Sequence, residues 1–187
     1  MRLIFLRHGR PQLPAGEKRY IGQTDYPLSI EGKEQILETG QKLIQEFSSI
    51  NCIYSSSLKR CRESSEILAS LCHCPVLYSD SLKEIHMGTW ENIPIQQIKE
   101  KDPAAYTLRG ARIADYICPG GESFSMVQKR AFEAVSLACS HAARQDNLLF
   151  VTHAGVIRSL LCAYKQQPLK NLFQYKIKYG EYITVFH

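Results

Sequence analysis

Two short apolar runs dominate the hydrophobic pattern: RLIFL at residues 2–6 and LLFVT at residues 148–152. Unbroken runs of that length suit strands buried on both faces. Three further segments, NCIYSS (51–56), VLYSD (76–80) and YITVF (182–186), are rich in β-branched and aromatic residues and also read as strands. Helical periods lie between them. Ser29 can cap a helix carrying Ile36, Leu37, Gly40, Leu43, Ile44 and Phe47 on one face. A second helix is expected from about Ser57 to Leu71. A third starts at Ser123 with Val127, Ala131, Ala134, Val135 and Ala138 inward, and a fourth covers GVIRSLLCAY (155–164). Residues 80–122 look irregular, with short helices near 94–100 and 103–109; so long a stretch between core elements is often functional. Strands alternating with helices predict an α/β, three-layer fold with a mainly parallel central sheet flanked by helices. No Pro/Gly-rich linker or low-complexity tract divides the 187 residues, so one domain over residues 1–187 is expected.

Composition narrows the class. With 44% hydrophobic and 22% charged residues the chain is ordinary for a soluble globular protein. No apolar stretch approaches the roughly 20 residues of a membrane helix, and Met1-Arg2 leads into only a few apolar residues before Arg7, unlike a secretory leader. A cytoplasmic protein without membrane partners is the expectation. Seven cysteines, an odd number, argue against a disulfide framework and for buried reduced thiols. Cys72-His73-Cys74 lacks a second Cys/His pair at structural-zinc spacing, so no metal site is expected. The net charge of +5 comes from scattered lysines and arginines. It suits an anionic small molecule and demands no nucleic acid.

The two apolar runs share more than hydropathy. LIFLRHG (3–9) and LLFVTHAG (148–155) each deliver a histidine at the end of a strand, followed by a small turn with glycine. Open α/β sheets collect ligands outside the carboxyl ends of their strands. His8 and His153 would therefore face one crevice if their strands are neighbours, with Gly9 letting the backbone turn away. A helix starting near Gly155 would aim free N–H groups at the same place and favour an anion. In SSLKRCRES (56–64), Arg60 sits in the first turn of a helix, where a cation opposes the helix dipole; taken alone it reads as a solvated surface arginine. LKEIHMGTWE (82–91) joins an acid, a histidine, a glycine and the one tryptophan. Within it Glu91 reads as a surface charge, and His86 and Trp90 as loop packing. His73, His141 and His187 belong to no motif. Tyr179, Gly180 and Tyr182 mark a turn into the last strand with no assigned chemistry.

In order, LRHG, YIGQTDYPLS, SSLKRCRES, LKEIHMGTWE, PGGES and VTHAGVIR resemble the histidine phosphatase superfamily in its phosphoglycerate-mutase-like branch. The resemblance covers about residues 3 to 160. It implies that His8 is the nucleophile that becomes phosphohistidine, that Arg7 and Arg60 hold the phosphoryl oxygens, and that His153 is the second phosphate-pocket histidine. Glu84 matches the acid that protonates the leaving group. Gly22 and Gln23 lie in the matching substrate-side loop, and Ala154 offers a backbone N–H. The expected cofactor set is empty, because the built-in cations suit a phosphate monoester without a metal.

The same resemblance frames the substrate question. Mutases of the pattern RHGESxxN keep an asparagine six residues after the histidine, where this chain has Pro14. They also tend to carry a C-terminal tail over the site, whereas this sequence runs out at YITVFH. Both features favour net hydrolysis of a small phosphorylated metabolite. The length and the Gly-Gln-Thr-Asp-x-Pro-Leu-Ser loop point toward α-ribazole-5′-phosphate phosphatases. A phosphoglycerate mutase, a fructose-2,6-bisphosphatase-like enzyme and a non-catalytic phospho-ligand module stand as alternatives, and a homodimer is an admissible assembly.

Overall fold

A computed structural model describes residues 1–186; His187 lies outside the described residues. Five strands form one sheet: β1 (Arg2–Arg7), β2 (Cys52–Ser56), β3 (Val76–Ser79), β4 (Asn147–Thr152) and β5 (Tyr182–Phe186), in the order β3-β2-β4-β1-β5. Every neighbouring pair is parallel except β1 with β5, which is antiparallel. The expected α/β three-layer architecture, a mainly parallel central sheet flanked by helices, is the one observed.

Why β1 and β4 are so uniformly apolar follows from their central position. Leu3, Phe5, Leu148 and Phe150 pack with α5 (Phe124–Ser140) and α6 (Ala154–Tyr164) on one face of the sheet. Their alternates Ile4, Leu6, Leu149 and Val151 pack with α1 (Ile30–Glu46) and α2 (Lys59–Cys72) on the other. Side chains alternate with a period of two along a strand, so both registers must be hydrophobic when both faces are covered.

Helix α1 is capped as expected, with Ser29 Oγ accepting from Gly32 N. Its buried stripe, however, is Gly32, Ile36, Thr39, Gly40 and Leu43. Leu37 and Ile44, expected inward, are 44% and 48% exposed. The sheet admits one narrow stripe of α1, and Thr39 wins a place there by donating to Gly180 O at 2.8 Å. Gly9 also acts differently from expectation. It needs no positive φ; a β-carbon there would collide with Gly32 O of the first turn of α1, so glycine is required for close approach. Of the seven thiols, Cys61, Cys118, Cys139 and Cys162 are buried as read, while Cys52, Cys72 and Cys74 are half-buried. The irregular segment contains α3 (Ile95–Lys101) and α4 (Pro103–Ala111), near their expected places. No helix among the described residues is long and apolar enough to cross a membrane.

Candidate active site

Parallel pairing of β1 with β4 in the register Arg7↔Thr152 brings the two strand-end histidines side by side, with ring centroids 5.0 Å apart. His8 faces a cavity of about 770 Å³. Of the residues singled out in the sequence, Arg7, His8, Gly22, Arg60, Glu84 and Ala154 line it. His153 and Gln23 stand behind it.

His8 is buried, and its Nδ1 lies 2.7 Å from Gly9 O. A carbonyl can only accept, so Nδ1 carries the proton and Nε2 keeps a free lone pair. Burial, reinforced by the Arg60 and Arg7 guanidiniums, pulls this imidazole well below the usual histidine range, against the Gly9 bond. The ring is therefore neutral and nucleophilic at physiological pH.

Arg7 is fixed by donation from Nη1 to Ile177 O at 2.8 Å and by the Tyr179 ring, whose centroid is 3.6 Å from its guanidinium carbon. Its Nε is buried and has no hydrogen-bond partner among the described residues. Arg60 is 1% exposed, which corrects its reading as a solvated surface arginine. Nη1 and Nη2 donate to Thr24 O and Gly22 O at 2.7 and 2.8 Å, and Nε reaches His153 Nδ1 at 3.3 Å. That last bond makes His153 Nδ1 an acceptor, so its Nε2–H donates to Ser56 Oγ at 2.9 Å. Burial and then Arg60 and His8 hold His153 neutral as well, well below the histidine range. The adjacent Cys61 thiol is pushed up to about 12 by burial and stays protonated.

Glu84 enters from the loop after β3. Its Oε1 accepts from Ile85 N at 3.0 Å and its Oε2 from Gly155 N at 3.1 Å, at the start of α6. A β-carbon on Gly155 would collide with Glu84 Oε1, so the THAG turn requires its glycine to admit the acid. Ala154 occupies the first position of α6, where a backbone N–H has no intrahelical partner. Two guanidiniums, a neutral imidazole, a carboxyl group and helix N–H groups thus converge on one cavity. The set suits a tetrahedral oxyanion bearing a leaving group.

The profile of the histidine phosphatase superfamily (branch 1) matches residues 3–186. The chain belongs to that superfamily. It is 31% identical over 161 residues to a metal-independent phosphoserine phosphatase of Arabidopsis thaliana, covering 84% of this chain and 66% of that relative, just under two thirds of its length. A probable phosphoglycerate mutase of Salmonella choleraesuis is 30% identical over 161 residues, covering 86% of this chain and 73% of the relative. Among solved structures, the α-ribazole phosphatase of Shigella flexneri superposes with a TM-score of 0.85 at 25% identity, covering 98% of this chain and 89% of that one. The relatives of this superfamily member thus include both phosphatases and mutases.

Several residues that build this histidine phosphatase site escaped the sequence reading. Glu91, expected at the surface, accepts from Gln23 N, Thr24 N, Thr24 Oγ1 and Met87 N at 2.8–3.0 Å, and so pins the Gly22–Thr24 carbonyls that hold Arg60. Gln23, expected to contact substrate, donates its side-chain amide to Glu84 O at 3.0 Å. Arg130 bonds Glu122 through two N–O contacts of 2.9 and 3.0 Å and donates to Ser81 O and Glu84 O. Against burial, which would raise it, Arg130 and the His86 N–H hold the Glu122 carboxyl below its usual range. Glu122 lies in the PGGES motif and Arg130 about two turns further along α5, a spacing that is a weak signal without tertiary contacts. Tyr179, assigned no chemistry, covers Arg7 and sits 5.6 Å from the His8 ring. His86 and Trp90 pack as read: His86 Nδ1 meets Gly120 O, and Trp90 stacks between Tyr20 and Tyr116.

Proposed function

We propose that this chain is a metal-independent phosphomonoesterase acting on a small phosphorylated metabolite through phosphohistidine at His8. The observation that carries the reading is the Nδ1–H···O=C bond to Gly9, which leaves Nε2 unprotonated in the cavity shared with Arg7 and Arg60. Nε2 attacks phosphorus, the N–P bond forms, and the ester P–O bond breaks as Glu84 gives its proton to the departing alkoxide. The Arg7 and Arg60 forks and the Ala154 N–H stabilise the equatorial oxygens. Water then attacks the phosphohistidine, Glu84 takes its proton, the N–P bond breaks, and inorganic phosphate leaves with neutral His8 restored. His153 is a positioning residue in this scheme, acting through Arg60.

The finer expectation, α-ribazole-5′-phosphate, is supported by the likeness to the Shigella enzyme; phosphoserine is supported by the plant relative. The cation excess of the cavity favours a substrate body that is itself anionic. A mutase reading has the Salmonella likeness on its side, and Pro14 at the place of the mutases' asparagine favours hydrolysis. The deciding experiment incubates the protein with p-nitrophenyl phosphate and excess chelator. The expected result is release of inorganic phosphate, with acid-labile, alkali-stable phosphate trapped on the wild type and lost in His8→Ala. Labelling that survives His8→Ala moves the nucleophile elsewhere, and complete dependence on added Mg²⁺ or Zn²⁺ overturns the metal-free scheme.

A further inference from the structure

The turn between Ile177 and Tyr182 does more than lead into β5. Gly180 adopts a left-handed φ of +72°, and its N–H is shared between Arg7 O and His8 O at 3.1 and 3.2 Å. Its carbonyl accepts from Thr39 Oγ1, and Arg7 N donates to Glu181 O at 3.0 Å. The backbone of the turn is thus bonded to the strand end that carries the nucleophile and its arginine. None of these bonds uses the Tyr179 side chain.

That side chain goes to Arg7. Its ring centroid lies 3.6 Å from the guanidinium carbon, within van der Waals contact. The next shortest contact of this kind among the described residues, Arg62 over Tyr78, spans 4.4 Å. Arg60 is held by the Gly22 and Thr24 carbonyls and by His153. Arg7 has instead one carbonyl, Ile177 O on Nη1, and one ring; among the described residues its Nε and Nη2 have no acceptor and no carboxylate pairs with it. Burial pulls this guanidinium below its usual range, and nearby Arg158 and Arg60 act in the same direction. The electron-rich face of an aromatic ring offsets that cost. Tyr179 also borders two cavities, the one that His8 faces and, with Arg19 and Ile21, a neighbouring one of about 1210 Å³ bounded by residues 10–19. A ring on that boundary shields the covered face of Arg7 from water.

We propose that Tyr179 is a positioning residue whose ring face holds the Arg7 guanidinium in the plane that turns its Nε–Nη2 edge to the phosphoryl oxygens. The inference rests on the phosphomonoesterase reading for the identity of that anion. The contacts of Tyr179 are those of its ring, with Arg7 and with His8 at 5.6 Å, so the ring and not the hydroxyl is the working part.

The test compares Tyr179→Leu and Tyr179→Phe, each made with Arg7 intact and with Arg7→Lys, which keeps the charge without the planar fork. The readouts are kcat/KM on p-nitrophenyl phosphate and the affinity for inorganic phosphate by calorimetry, which needs no turnover. Tyr179→Leu should lower both about 3- to 30-fold, the range of a cation–π contact shielded from water. Tyr179→Phe, which restores the ring, should recover all but about twofold. With Arg7→Lys the step from Tyr to Leu should shrink to about twofold or less, because no guanidinium plane is left to hold. Should Tyr179→Leu fail to fold, pentafluorophenylalanine at position 179, similar in shape with the charge distribution of the ring reversed, must produce the same fall. Values for Tyr179→Leu within about twofold of the parent overturn the proposal. So does a Tyr179→Phe variant as weak as Tyr179→Leu, which gives the role to the hydroxyl, and so does an undiminished loss with Arg7→Lys, which directs the ring to His8. Phosphate affinities that follow the expected pattern without ester hydrolysis sink the phosphomonoesterase reading and keep this one; hydrolysis indifferent to residue 179 does the reverse.

Discussion

His8 and His153 sit at matched ends of adjacent parallel strands, in nearly the same sequence context, and both are neutral by burial. They are nevertheless different instruments. His8 has one ring nitrogen occupied by a carbonyl and presents the other to the cavity. His153 has 0% exposure, with Nδ1 taken by Arg60 and Nε2 by Ser56. A repeated strand–histidine–glycine pattern thus places two imidazoles in one site without giving them one role. What separates the roles is the partner of each nitrogen: a neighbouring carbonyl fixes a tautomer and frees the far nitrogen, whereas an arginine and a serine use up both.

The strongest test of this contrast is covalent. His8→Ala should reduce turnover to background and abolish phosphoryl trapping, because it removes the Nε2 lone pair that the Gly9 bond leaves facing the cavity. His153→Ala should retain detectable trapping on His8 while kcat/KM falls about 10- to 100-fold, the cost of a misplaced charge-assisted contact to Arg60. Rapid-quench labelling of both variants checks it. If trapping vanishes equally in the two, His153 reaches the phosphoryl group itself and the contrast collapses.

A second test uses the property the two histidines share. Their native pKa values lie below the unfolded value of about 6.5. The unfolded state therefore binds more protons as pH falls through 6.5, and native stability drops with it. The stabilising contribution is complete above pH 6.5 and is lost progressively below it. Between pH 7.5 and 5.5 the wild type should lose up to about 1.4 kcal/mol more than His153→Asn, one histidine's share over a single effective unit. Urea unfolding at the two pH values measures the difference. Identical losses would place a charged His153 in the native state. Adding inorganic phosphate should stabilise the wild type at both pH values, as expected of an anion that fits the folded site and has no site in the unfolded chain.

Sequence pattern reached some of these features and not others for a physical reason. The strands β1 and β4 are covered on both faces, so their apolar runs are local facts, and the histidines at their ends follow from chain direction. Ser29 and Ser123 cap their helices through bonds three residues long, which local spacing encodes. The supports of the site are long-range instead. Glu91 reaches residues 67 and 68 positions earlier to pin the loop that holds Arg60, and an isolated acid in an irregular segment looks the same whether it is solvated or fully engaged. Gln23 lies in a substrate-side loop by resemblance, yet its amide turns to the Glu84 carbonyl, which only the fold brings near. Leu37 and Ile44 fit the helical period, and only the width of the groove above the sheet decides that Thr39 lies inside and they do not. Arg109, the one buried residue of α4, is the extreme case: nothing local distinguishes a buried arginine from a solvated one.

The smallest expected effect isolates the far side of His153. Ser56 is fully buried and accepts from His153 Nε2–H, so Ser56→Ala leaves that donor without an oxygen acceptor where water has no access, with only the weak Cys61 sulfur 3.4 Å away. The cost should fall on stability, about 1–3 kcal/mol for a buried unsatisfied group. Catalysis should stay within about threefold, a barrier change under roughly 1 kcal/mol, because Nδ1 still accepts from Arg60. A double-mutant cycle with His153→Asn should return most of the loss as coupling energy, since the two side chains share one bond. If Ser56→Ala instead lowers kcat/KM as far as His153→Ala does, the Ser56 bond is what orients the ring toward Arg60. The chain of support would then run from Ser56 through His153 to the phosphoryl oxygens, and His153 would count as a link in it rather than its end.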